Sequence, residues 1–131
     1  MSYAWVDHTA ELELRIDADS EEAVYADALA AFAELVTTAG RGEPVQVPVE
    51  VDGPDRVALL VSWLEELVYL ADVDSIEPEH VADLVASPNR LAAVVTGHVG
   101  SPRPLVKAVT YHAAEFRRDD SRWRARVVLD V

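Results

Sequence analysis

The sequence contains no cysteine, and this absence removes several kinds of site at once. Without thiols there can be no disulfide framework, no thiolate nucleophile and no cysteine-ligated zinc. Any metal ion would have to be bound by oxygen atoms or by imidazole nitrogens. A glycine-rich phosphate loop, the G-x-S-x-G nucleophile turn and the H-E-x-x-H zinc pair are also missing from the sequence.

Long apolar runs are missing as well. No run approaches the about 18 residues that a membrane-spanning helix needs. The first residues, 1–5, provide neither the basic nor the apolar region of a signal peptide. We therefore expect a soluble, unexported protein of the cytoplasm.

Positive charge is scarce: 24 Asp and Glu residues face 11 Lys and Arg residues, which gives a formal net charge of −13. Direct binding to nucleic acid normally needs a basic surface, so we do not expect it here. Basic proteins and divalent cations are better matched partners. The acidity could instead serve only solubility, and composition alone leaves that alternative open.

The 131 residues, half of them hydrophobic, suffice for one core, and we predict a single domain over residues 1–131. Period-two alternation predicts strands at 12–16 and 45–51, with Pro48 placing the second strand at a sheet edge. Helical spacing of apolar residues predicts one helix capped by Asp19 and ending near Thr38. A second helix is expected after the turn at 52–55, two hairpins at 81–99 and 106–131, and a polar loop through Asp72, Asp74 and Pro78.

The predicted order is β-α-β-α-β-β-β-β. Helices and strands in this order, with hairpins closing the chain, predict an α+β fold in which two helices pack on a largely antiparallel sheet.

The first group of candidate functional residues lies at 7–11, where five positions contain Asp7, His8, Thr9 and Glu11. Such a group could bind a hard divalent ion through its carboxylates. It could equally be a capping turn with solvated charges. Asp130 is unexpected within the apolar strand at 127–131, because a lone Asp is unfavourable there unless a cation, hydrogen-bond donors or solvent compensates it.

A third group lies at residues 107–112, where Lys107, Thr110, Tyr111 and His112 interrupt an apolar frame. Alternation along a strand would separate Lys107 and Tyr111 from Thr110 and His112. An edge strand with an exposed lysine is the simpler alternative interpretation. His80 and His98 stand apart from any motif.

Together these segments resemble the archease family. Residues 7–11, D-H-T-A-E, are similar to its opening D-H-T-A-D, and residues 107–112 match its K-A-V-T-Y-H run. The aliphatic-Asp-aliphatic ending at 129–131 and the helix at 63–70, similar to W-L-N-E-L-L-Y, extend the resemblance over the chain.

The resemblance implies an accessory protein that is not itself an enzyme and that promotes guanylylation and repeated turnover of an RtcB-type RNA ligase in tRNA splicing and RNA repair. It also implies a metal site formed by Asp7, Glu11 and Asp130, with His8 adjacent, for Ca²⁺, Mg²⁺ or Mn²⁺. Lys107, Thr110, Tyr111 and His112 match a family motif without assigned individual roles.

Two departures from the family pattern affect these expectations. Glu11 stands where the family usually has Asp, which changes the geometry of the expected metal site, and the stretch 97–104 is shorter than in relatives. Two other functions remain open: a stand-alone metal-dependent hydrolase with His8 or His112 as base, and a general chaperone or protein-interaction module.

Overall fold

The computed structural model describes residues 2–8 and 10–131, and for Asp7 and His8 it describes the backbone alone. Within these residues the chain forms seven strands and two helices. They are β1 (Tyr3–His8), β2 (Glu11–Ala18), α1 (Glu21–Val36), β3 (Pro44–Asp52), α2 (Arg56–Asp72), β4 (Ile76–Ala86), β5 (Arg90–Val99), β6 (Ala108–Asp119) and β7 (Arg122–Asp130).

The strands form two antiparallel sheets. One has four strands in the order β1-β2-β7-β6, and the other has three in the order β3-β5-β4. Both helices pack against these sheets and share one hydrophobic core with them. The predicted α+β class, with two helices on antiparallel strands, is confirmed.

The sequence-based prediction missed β1 and placed Pro78 in a loop. Strand β1 pairs with β2 over its full length, from Tyr3 to His8, but its polar end hides the period-two alternation. Pro78 lies inside β4 beside a register shift, where the missing N–H does not interrupt a regular ladder. Pro48 does lie in an edge strand, as predicted, because β3 borders its sheet.

Side-chain caps fix where both helices begin. Helix α1 is capped by Ser20, not by Asp19: the Ser20 hydroxyl accepts a hydrogen bond from the N–H of Ala23 at 3.1 Å. Asp55 caps α2 in the same way, accepting from the N–H of Ala58 at 2.8 Å. In the described chain, neither helix combines the length and the hydropathy required to cross a membrane.

Aromatic side chains from both helices and the four-stranded sheet meet in the core. Trp63 of α2 is fully buried, and its indole N–H donates to the carbonyl oxygen of Tyr25 at 3.0 Å. The Tyr25 ring meets Trp63 edge-on at 6.5 Å and lies 5.5 Å from Phe116, which in turn meets Trp123 at 5.9 Å. This chain of rings holds α1, α2 and the β6–β7 hairpin together.

The hydroxyl of Tyr25 is buried without a hydrogen-bond partner among the described residues, and burial raises its pKa. Because an unsatisfied buried polar group costs about 1–3 kcal/mol, we expect Tyr25→Phe to leave the free energy of unfolding unchanged or to increase it by about 1 kcal/mol. Urea denaturation measures the change, with Tyr69→Phe, an exposed hydroxyl, as control. A loss above about 1 kcal/mol would show that the hydroxyl has a stabilising partner.

Candidate functional site

Four strand ends meet at one end of the four-stranded sheet: the last residues of β1 and β7 and the first residues of β2 and β6. Glu11 is the register partner of both His8 in β1 and Asp130 in β7, and Asp130 is also the partner of Ala108 in β6. Hydrogen bonds beyond the strands extend this arrangement. The Lys107 N–H donates to the Asp130 carbonyl at 2.8 Å, and the Val131 N–H donates to the Ala10 carbonyl at 3.2 Å.

Two of the sequence-predicted metal ligands, Glu11 and Asp130, therefore come together. They lie directly opposite each other on neighbouring strands, so their Cβ atoms are about 4.5–5.5 Å apart and their side chains point to the same face. Both residues are partly exposed. Since like charges at opposite positions destabilise a sheet, a cation bridging the two carboxylates would relieve a cost inherent in this pairing.

The other members of the opening motif lie partly outside the described residues. The backbone of Asp7 pairs with Leu12, one position from Glu11, but the side chains of Asp7 and His8 and the whole of Thr9 are outside the described part of the chain. Among the side chains that are described, no group of three or more His, Cys, Asp or Glu residues is arranged to bind a metal ion. The described ligand pair is thus Glu11 and Asp130.

The 107–112 segment borders this end of the sheet. Lys107 precedes β6 and is exposed, whereas Thr110 is the last residue before the β6–β7 register shifts. The predicted alternation along the segment stops there: the Thr110 hydroxyl accepts from the N–H of His112 at 3.0 Å, and Ala113 has a φ of 58°. Tyr111 is 59% exposed beyond this break.

A shallow cleft of about 280 Å³ lies at the same end of β6, where Ala108, the register partner of Asp130, is one of its lining residues. It separates the end of α2 from the start of β6, with Tyr69 and Val73 exposed on one side and Lys107 on the other. Apolar surface next to charged groups is typical of a place where a protein partner binds. The cleft is lined by Glu65, Val68, Tyr69, Asp72, Val73, Lys107, Ala108 and Val109.

One buried ionic network was missed by the sequence reasoning, because His98 belongs to no motif. Its Nδ1 lies 2.7 Å from Glu79 Oε1, and its Nε2 lies 3.1 Å from Glu77 Oε2 and 3.2 Å from the Gly40 carbonyl. All three partners are acceptors, so the geometry calls for an imidazolium that donates from both nitrogens. Glu77 and His98 are almost completely buried, and Thr38 donates to Glu77 from its N–H and its hydroxyl.

These contacts shift the pKa values in opposite directions. The hydrogen bond to Glu79, aided by Glu77, raises the pKa of His98 although burial opposes it. Burial favours a higher pKa for Glu77, but the hydrogen bonds from Thr38 and His98 outweigh it and lower the pKa; the bond from His98 likewise lowers the pKa of Glu79. Gly100 lies close against this network: a Cβ at position 100 would lie 2.1 Å from Glu77 Oε2, so any other residue there would require the Glu77 carboxylate to move.

The model of the Archease protein family (MTH1598/TM1083) matches residues 3–131. This chain belongs to the archease family. The matched range contains the positions of the acidic pair, the 107–112 segment and the buried network.

Individual archeases show the same relationship over their full lengths. The chain is 33% identical to the protein archease of Methanopyrus kandleri, with 100% of both chains covered, and 32% identical to that of Pyrococcus furiosus, with 95% of both covered. The solution structure of Methanobacterium thermoautotrophicum protein 1598 superposes with a TM-score of 0.70 at 27% identity and 98% coverage of both chains. The crystal structure of a Thermotoga maritima archease, described as a possible chaperone, has the same fold, with a TM-score of 0.61 at 19% identity over 96% of this chain and 94% of that one.

The buried network predicts how stability depends on pH. Because the pKa of His98 is raised in the folded state, protonation of His98 stabilises the fold. This contribution is complete at pH values below the ordinary histidine pKa of about 6.5, and it is lost as the pH rises through the folded-state pKa. The lowered pKa values of Glu77 and Glu79 act oppositely, and their contribution is lost on acidification. We expect Tm to fall by a few degrees between about pH 6 and about pH 9.

Glu79→Gln should reduce this alkaline loss, because Glu79 is the main cause of the raised His98 pKa. Calorimetric Tm values at the two pH values measure the difference. Glu50→Gln, on the exposed side of β3, is the matched control and should leave the wild-type pH dependence intact. An equal alkaline loss in wild type and Glu79→Gln would rule out the assigned coupling.

Proposed function

We propose that this archease-family chain is an accessory protein of an RtcB-type RNA ligase, and that it promotes guanylylation and multiple turnover of the ligase without being an enzyme itself. The similarity of residues 7–11, 107–112 and 129–131 to the family's motifs supports this proposal. So does the family match over residues 3–131.

The observation that carries the proposal is the pairing of Glu11 with Asp130 in adjacent antiparallel strands. Two carboxylates far apart in sequence share one end of the sheet and are partly exposed to solvent. Carboxylate oxygens are the ligands that Ca²⁺, Mg²⁺ and Mn²⁺ accept, so the chemistry of the pair fits a divalent cation. Asp7 is the proposed third ligand on the resemblance of residues 7–11 to the family motif, since its side chain lies outside the described part of the chain.

A bound cation would supply positive charge where the ligase holds phosphate groups, and the chain's own residues would position it there. The partly exposed pair lies at the end of the four-stranded sheet where β6 begins, and the exposed side chains of Tyr69 and Val73 line the cleft beside the first residues of β6. We propose that this end docks beside the nucleotide pocket of the ligase. An acidic protein with a net charge of −13 is suited to a basic cleft that binds polyanions.

Cation binding is testable on the isolated protein. Addition of Ca²⁺, Mg²⁺ or Mn²⁺ should raise Tm, because a ligand that binds only the folded state stabilises it. Asp130→Asn and Glu11→Gln should each weaken the apparent affinity about tenfold or more, since each removes a charged ligand. Glu11→Asp restores the usual family ligand and should retain binding.

Asp83→Asn is the control for this titration, because Asp83 is an exposed carboxylate on the three-stranded sheet. This substitution should leave the cation affinity unchanged. Equal cation-dependent stabilisation of wild type and Asp130→Asn would show that the cation binds elsewhere.

Ligase activation is tested separately, by measuring guanylylation and multiple turnover of the RtcB-type ligase from the same organism. Wild type should stimulate both, and Asp130→Ala should lose most of the stimulation while keeping its Tm without cation. Asp83→Ala should behave as wild type. Full stimulation by Asp130→Ala would dispose of the role given to the acidic pair.

A second candidate function, a general chaperone, is supported by the description of the Thermotoga maritima archease as a possible chaperone and by the exposed apolar side chains near the cleft. Suppression of aggregation of unrelated proteins would depend on Tyr69 and Val73 and not on Asp130. The same variants therefore separate the two functions: Tyr69→Ser would affect a chaperone, whereas Asp130→Ala would not.

A further inference from the structure

The outer face of the four-stranded sheet carries an unexpected concentration of positive charge. Alternation directs Leu14 and Ile16 of β2 into the core and Arg15 to the opposite, outer face. Arg124 and Arg126 of β7 lie on that outer face too. With Arg117 of β6 they line a groove of about 410 Å³, here called the arginine groove.

The charge of this groove differs in sign from that of the molecule. Four arginines line it against two carboxylates, Asp17 and Glu115, which gives 4 − 2 = +2 formally, whereas the whole chain has −13. The groove is therefore lined mainly by cations on an acidic protein, with the carboxylates of Glu13 and Asp119 pairing from outside its lining. Its remaining lining residues are small or apolar: Ser2, Tyr3, Ala4, Ile16 and Ala125.

The register places arginines directly against each other. Arg15 is the cross-strand partner of Arg126, and Arg117 is the cross-strand partner of Arg124. On its other side each of the two β7 arginines faces a carboxylate, since Glu115 is the partner of Arg126 and Asp17 is the partner of Arg124. Like charges at opposite positions destabilise a sheet, and a bound anion would remove the repulsion within each arginine pair. Two such pairs side by side on β7 bring four guanidinium groups to one place.

Internal carboxylates neutralise this cluster incompletely. Arg126 is paired with Glu115 at 3.3 Å, and Arg117 is paired with Asp119 at 3.2 Å. Arg124 is the exception. In the part of the chain that the structure describes, it donates no hydrogen bond, and its ion pair is with the same Asp119 oxygen that Arg117 contacts, at 3.8 Å.

Arg15 and Asp17, the two remaining charged residues of the groove, form ion pairs with residues that do not line it. Arg15 pairs with Glu13, and Asp17 accepts a hydrogen bond from Arg122 at 2.8 Å at the margin of the groove. Arg124 is thus the guanidinium with the most donor capacity facing the groove, since each guanidinium has five N–H groups.

We propose that the arginine groove binds a compact phosphate-bearing anion. A guanidinium fork matches two phosphate oxygens at once, and four forks around one groove suit a group with several charged oxygens. The occupant is compact because a long polyanion leaving the groove would meet the acidic remainder of the surface. Free polyphosphate and the terminal phosphate of a short nucleic-acid end present the same chemistry.

This site is separate from the acidic pair. Arg15 follows Glu11 by four residues of an extended strand, so the two lie about 14 Å apart along the same face. The outer face of the sheet is consequently acidic at one end and basic towards the other. The proposal does not depend on the ligase function, and it requires no metal ion.

The experiment is an NMR titration of ¹⁵N-labelled protein in low salt, observing the arginine Nε–H and backbone resonances. The probes are pyrophosphate, a 5′-phosphorylated tetranucleotide, the same tetranucleotide without its phosphate, and an acidic hexapeptide. We expect pyrophosphate to shift Arg124, Arg126 and their neighbours, with affinity falling as salt is added. If the phosphorylated tetranucleotide binds more tightly than pyrophosphate, the source is a nucleic-acid end; if it binds more weakly, the source is a free polyphosphate.

The same titration, repeated on variants, measures how each charged residue of the groove contributes to the affinity for pyrophosphate. Arg124→Gln should weaken pyrophosphate binding about tenfold or more, because it removes a charge-assisted donor. Asp17→Asn should strengthen binding, because it removes a competing carboxylate at the groove margin. Arg90→Gln is the matched control, an exposed arginine on the three-stranded sheet that pairs with Glu50 and Asp52, and it should leave binding unchanged.

Three results would overturn the proposal: no shifts at the groove with either phosphate probe, equal weakening by Arg124→Gln and Arg90→Gln, or groove binding of the acidic hexapeptide without binding of pyrophosphate. The last would reassign the groove to a carboxylate-rich protein segment.

Discussion

Strands β2 and β7 pair from Glu11–Asp130 to Ala18–Trp123 without a register shift, and most of the architecture depends on that pairing. It joins residues near the two ends of the sequence and forms the centre of the four-stranded sheet. On its inner face it buries Leu14, Val127 and Leu129 against the helices. A slip of one residue would turn these side chains out of the core, so the hydrophobic effect fixes the register.

That register also determines the chemistry of the outer face. Once the apolar residues point inward, Glu11 must oppose Asp130 and Arg15 must oppose Arg126. Both are like-charge pairs, which local electrostatics disfavour. The burial of several aliphatic side chains outweighs such surface repulsion, because each fully buried side chain contributes about 1.5–3 kcal/mol and an exposed charge pair changes stability by about 1 kcal/mol or less. The core thus imposes a charged surface that is available to ligands of opposite sign.

The amino-acid pattern predicts most of the secondary structure but not all of it. Regular apolar spacing predicted both helices, the strand of Val45 to Val51 and the final hairpin, because periodicity reports which face is buried. Strand β1 was not predicted, since an edge strand with a polar end lacks that periodicity. The network of His98 and Glu77 was not predicted either, because the two residues are 21 positions apart and belong to no motif. Only the β4–β5 register brings them together.

The sequence by itself determined the α+β class, which follows from the period and order of the elements along the chain. It also determined the archease resemblance, which rests on the motifs at 7–11, 107–112 and 129–131, and the residues that carry charge at each motif. Tertiary structure alone decided which charges become neighbours. Strand pairing brings together residues more than a hundred positions apart, as with Glu11 and Asp130. Local patterns can predict a hairpin between consecutive strands, but they do not show which distant strands will be adjacent. The acidic pair, the arginine groove and the buried imidazolium all arise from that long-range pairing.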